Sequence, residues 1–110
     1  MAYDEDLAQR IRELVAREQV TEKKMFGGLA FLLGGNMAVA ASGQGGLMVR
    51  VDPAESARLV STTTARMMVM RGREMTGWLR VDSADVRTKA QLAKWVDIGT
   101  AYARSLPPKR

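Results

Sequence analysis

The sequence predicts an α+β fold in two layers, a largely antiparallel sheet with its helices on one side, in the order α-ββββ-α-ββ-α. Three observations predict it. Apolar residues recur at helical spacing at both ends of the chain. Between residues 21 and 51 the pattern turns strand-like and is cut by clusters of glycine. Adjacent strands are joined by short turn-forming stretches, which favours antiparallel pairing and leaves one sheet face for the helices. At 110 residues, the chain reads as one domain spanning 1–110.

The first helix starts at Asp4, whose side chain suits an N-cap, with Glu5 and Asp6 at the positive end of the helix dipole. Leu7, Ile11, Leu14 and Val15 form one apolar stripe, and the helix is expected to fade around residues 17–19. Strands follow at about 22–26, 29–33, 37–42 and 47–51, the first two also readable as one strand bent by a bulge at Gly27-Gly28. Asp52-Pro53-Ala54-Glu55 reads as a helix start: cap, proline in the first turn, and a carboxylate placed to reach back. The short helix should stop at Ser61-Thr62-Thr63-Thr64, where branched side chains and hydroxyls compete with the helical backbone. Strands at 67–70 and 75–81 flank a turn at Arg71-Gly72-Arg73, with Leu79 and Val81 on one face and Trp78 and Arg80 on the other. The last helix fits 88–106. Its apolar face carries Gly99, which close packing on the sheet would require, and Pro107-Pro108 end it before a basic tail.

Composition removes several chemistries. With no cysteine, there are no disulfides, thiolate metal sites or cysteine nucleophiles; with no histidine, the usual general base near neutral pH is missing. The acidic N-terminus does not read as a signal peptide, and the longest apolar run is five residues against the roughly 20 of a membrane helix. A cytoplasmic protein without membrane contact is expected. The net charge is +5; residues 1–22 carry six carboxylates against three arginines, so the remainder holds +8. A basic body of this kind suits nucleic acid or an acidic partner, although scattered arginine is not yet a patch.

The glycines do not form a phosphate loop. Gly43-x-Gly45 approaches the dinucleotide fingerprint, but Met48 stands where the third glycine belongs, and no glycine precedes a lysine as a P-loop needs. The alternative, glycines that bend and reverse strands, fits the context on both sides. Asp4-Glu5-Asp6 is explained by capping rather than by a metal, and no cofactor or small-molecule site is recognised.

Lys23 and Lys24 are candidates for phosphate or acidic-partner contacts, or for the charges that keep an edge strand unpaired. Arg66, Arg71, Arg73 and Arg80, with Arg50 and Trp78, are candidates for a basic surface carrying one stacking ring; a solvated hairpin accounts for the same residues. Met25, Met37, Met48, Met67, Met68, Met70 and Met75 all fall in β sections, where flexible thioethers fill cores or line adaptable binding surfaces. The strands at 29–33 and 37–42 are apolar on both faces, so the second face wants cover, from a homodimer or from a short helix.

The chain resembles the N-terminal domain of the TfoX/Sxy family of competence regulators. The resemblance rests on Lys24-Met25-Phe26-Gly27-Gly28, Phe31, Gly35-Asn36-Met37, Leu47-Met48-Val49-Arg50, Met75-x-Gly77-Trp78 and Val81. It continues through Leu92, Trp95, Val96, Gly99 and Ala103-Arg104-Ser105-Leu106-Pro107, so it covers nearly the whole chain in order. It implies a two-layer α+β fold and a link to the regulation of DNA uptake genes. Full-length members add a helical C-terminal domain, so the chain is expected to be a stand-alone version of the first. The family pattern offers no catalytic residues. The expected function is a non-enzymatic regulatory or protein-interaction domain, with a nucleic-acid-binding module using Arg50, Arg66, Arg71, Arg73 and Arg80 as the alternative.

Overall fold

The computed structural model describes residues 3–25 and 27–108. Phe26, assigned from the sequence to the end of the first strand, and the basic tail Lys109-Arg110 lie outside the described residues. The elements are α1 (Glu5–Leu14), β1 (Val20–Met25), β2 (Gly28–Leu33), β3 (Asn36–Ala41), β4 (Leu47–Arg50), α2 (Ser56–Thr62), β5 (Arg66–Met70), β6 (Arg73–Val81) and α3 (Lys89–Ser105). The strands form one antiparallel sheet in the order β1-β2-β3-β4-β6-β5. This is the α-ββββ-α-ββ-α arrangement that the sequence predicts.

Local chemistry sets the boundaries. The Asp4 carboxylate accepts from the Leu7 N–H (3.1 Å), so it caps α1. The helix stops at Leu14, earlier than periodicity suggests, because a turn closed by the Glu18 N–H to the Val15 carbonyl redirects the chain into β1. β1 and β2 are separate strands paired as a hairpin with Met25 opposite Gly28, which removes the single bent strand. Gly34-Gly35 and Arg71-Gly72 make two-residue reversals in which both residues have positive φ, the turn whose twist matches paired strands. Asp52 caps as expected, but Pro53–Glu55 forms a 3-10 turn before α2, and Glu55 pairs with Arg58 instead of reaching back to the cap. At the far end of α2, Thr63 Oγ donates to the Leu59 carbonyl and accepts from the Ala65 N–H, so hydroxyl competition does end the helix. A 3-10 turn at Ser83–Val86, not anticipated from the sequence, leads into α3. There Thr88 and Gln91 satisfy each other's backbone N–H in a capping box.

The main core lies between the helices and one sheet face. Leu29, Phe31, Val39, Leu47, Val49, Leu79 and Val81 on the strands are buried with Leu7 and Ile11 of α1 and Leu92, Trp95 and Val96 of α3. α3 lies against β3 at Gly99, where an added Cβ would come 2.4 Å from the Ala38 carbonyl oxygen. Ala38 itself is the extra residue of a bulge between β2 and β3, for Phe31 pairs with Val39 while Leu32 pairs with Met37.

Candidate functional site

Cross-strand partners share a face, so the pairs Ala40–Met48 and Met48–Arg80 turn away from the helices. On this open face Ala30, Met37, Ala40 and Met48 are all buried, with Met25, Leu32, Met68 and Trp78 packed against them. Among the described residues, those packed in this cluster are all on strands. Their cover is the long side chains of their neighbours and the distal part of the β5–β6 hairpin. That hairpin is re-aimed by a bulge: Met67 pairs with Leu79, the next pair is Met68 with Met75, and Gly77 lies between. The bulge is held from both sides. The buried Ser56 Oγ accepts from the Gly77 N–H (2.8 Å), and the Gly77 carbonyl accepts from the Val51 N–H (2.8 Å).

Between the hairpin and the sheet runs a groove of about 260 Å³. Met25, Met37, Met48, Met68 and Met70 line it, with Ala30 and Ala40 as its floor. Its polar end is made by Ser42, Gln44 and Arg80. The Arg80 guanidinium donates to Ser42 Oγ (3.1 Å) and to the Gly45 carbonyl (2.9 Å), tying the β3–β4 turn to β6. The glycines at this end allow contact between backbones: a Cβ on Gly28 would lie 2.3 Å from the Ala41 carbonyl oxygen. Two arginines, Arg71 and Arg80, and no carboxylate are among the described lining residues. A second cleft lies between α1 and the start of α3, where the Arg10 guanidinium is already bound to the carbonyls of Val86 and Arg87 (2.8 and 2.9 Å).

A family model for the TfoX N-terminal domain matches residues 12–103. The chain belongs to that family. The match takes in every strand of the sheet and therefore the whole groove. No curated protein matches this TfoX N-terminal domain. The family is not one of known enzymes, and among the described residues no helix is long and apolar enough to cross a membrane.

The residues singled out from the sequence are dispersed in this TfoX N-terminal domain. Lys23 and Lys24 are exposed on β1, one edge of the sheet. Arg66 lies on β5, the other edge, and pairs with Asp82 (2.5 Å). Arg50 sits opposite Trp78, its guanidinium carbon 5.2 Å from that ring's centroid and 5.7 Å from the centroid of Tyr102 on α3. Trp78 is thus engaged by Arg50 and by the open-face cluster. Arg71 and Arg73 are exposed at the hairpin turn. Only Arg71 and Arg80 come together at the groove. The groove's alanines and Gln44 were not singled out. Their signal was the small residues at 30 and 40, each alternating with a bulky core residue along its strand.

Proposed function

We propose that this TfoX N-terminal domain is a non-catalytic interaction module of a regulatory system. It recognises a partner protein by seating one or two of the partner's apolar side chains in the methionine-lined groove, with an adjacent carboxylate against Arg71. The observation that carries this reading is the groove itself: an apolar floor, thioether walls that can repack around different shapes, and a rim bearing cations and no described acid. Family membership supports the regulatory setting. Nucleic acid is the less favoured partner, because Arg66, Arg80 and Arg50 are each already engaged within the chain.

Selection from a random displayed-peptide library tests it. Enriched peptides should pair a bulky apolar residue with a neighbouring Asp or Glu, and Met70→Glu, at the half-buried distal end of the hairpin, should abolish their binding while the chain stays folded. Absence of enrichment overturns the reading. So does binding to nonspecific duplex DNA that weakens steeply with salt, which would mark a phosphate-binding surface instead.

A further inference from the structure

We infer that the β5 edge of the sheet pairs with β5 of a second copy of this chain. The two edges of the sheet are built differently. β1 carries Thr21, Glu22, Lys23 and Lys24, all exposed, and exposed charge on an edge discourages strand addition. β5 reads Arg-Met-Met-Val-Met, without lysine or proline, and Val69 on it is 58% exposed, the one exposed large apolar residue among the described residues. An apolar edge with free backbone groups is a template for another strand.

The register follows from the hairpin. Met70 and Arg73 flank the two-residue turn, so they exchange both of their backbone hydrogen bonds. Alternation then turns Met68 toward β6 as well and leaves the N–H and C=O groups of Met67 and Val69 directed outward. A two-fold antiparallel pair that joins outward groups sets Met67 against Val69 of the second copy, Val69 against its Met67, and Met68 against its Met68. This register engages all five residues of β5. It covers Val69 with an apolar neighbour and places Arg66 opposite Met70, so no like charges face each other. The result is a continuous twelve-stranded sheet in which the two methionine-lined grooves flank the axis. Five residues a side make a small contact, below the roughly 1,200 Å² of stable interfaces, so association should be weak and concentration-dependent. Met68, Val69 and Met70 also line the groove, but the pairing uses the backbone edge of β5 and is tested on the chain alone, with no groove ligand present.

Sedimentation of the wild-type chain over a concentration series, followed by amide exchange, tests it. The weight-average mass should rise from one chain toward two. Exchange at Met67 and Val69 should slow with concentration, while Met68 and Met70 stay protected throughout. The absence of cysteine allows a positional test. A non-hydrogen-bonded antiparallel pair has Cα atoms about 4.5 Å apart, within disulfide range, so Met68→Cys should crosslink to its own mate under mild oxidation. Val69→Cys should not, because its mate lies a diagonal step away. Val69→Lys should restore the monomer. A chain that stays monomeric up to its solubility limit overturns the inference. So does crosslinking through position 69 in place of 68, or a dimer indifferent to Val69→Lys.

Discussion

A methyl group on Gly99 would lie 2.4 Å from the Ala38 carbonyl oxygen and 2.9 Å from a Val39 methyl. Alanine is the better helix former by about 1 kcal/mol, so propensity alone would favour the replacement. The contact opposes it. The obstacle is a backbone oxygen within the β3 bulge, which has no rotamer to change, and inserting a methylene into a packed core costs about 1–3 kcal/mol. Gly99→Ala should therefore lower stability by up to about 2 kcal/mol net in denaturant unfolding. A rise in stability would mean that α3 can lift from the sheet without cost. The same reasoning assigns Gly28 to the crossing of backbones beside Ala41, and it separates the glycines that let chains touch from those that only reverse them.

At the scale of elements, α1 is fastened to β1 by Arg12 and Glu22, whose side chains meet in a two-pronged pair at 2.5 and 2.9 Å. The hydrogen bonds from Arg12 hold the Glu22 carboxyl below its ordinary range, against a smaller opposing effect of burial. A carboxyl depressed in the folded state adds stability that is present above the unfolded value, about 4.3 for glutamate, and that is lost as pH falls through the lower folded value. Glu22→Gln should therefore be less stable than wild type at neutral pH, and the two unfolding curves should converge in acid below pH 4 or so. The gap should be small, because both partners are more than a third exposed. A gap that persisted undiminished in acid would show that Glu22 acts through packing. Most elements were legible in the sequence, because each is announced locally: Asp4 and Asp52 at helix starts, glycine clusters and Arg71-Gly72 between strands. The 3-10 turns at 53–55 and 83–86 were not, since they arise where the chain must fit between a strand end and a packed helix. The groove was half legible. Methionines in the β sections pointed to an adaptable surface, but which five converge depends on the Gly77 bulge, and that is fixed by Ser56, twenty-one residues away. The arginines around the second hairpin are close in the chain yet diverge in the fold: Arg66 pairs with Asp82, Arg80 ties to the β3–β4 turn, and Arg71 and Arg73 stay exposed, because alternation along a strand and pairing across it send neighbours in different directions.

For the whole molecule, the decisive asymmetry is that of the two sheet edges. If β5 pairs with β5 of a second copy, a two-fold axis consumes both apolar edges, and the assembly ends in two β1 strands. Its size is then limited by what β1 refuses to do. Lys23 and Lys24 are exposed on opposite faces of that strand, so each additional strand would have to bring its own lysines and Glu22 alongside them. Replacing both lysines with valine removes the repulsion and supplies the branched residues that sheets favour. The variant should then join dimers through β1 as well as β5. The two contacts lie at opposite edges of one open sheet, so each added chain extends the sheet along the same direction and the product is an open filament of sheets rather than a closed ring. Light scattering should grow with time and concentration for the double variant and stay flat for wild type. Adding Val69→Lys to the double variant should stop growth at a dimer, now held by β1 alone. Filaments that survive this third substitution would show that β5 is not the second contact.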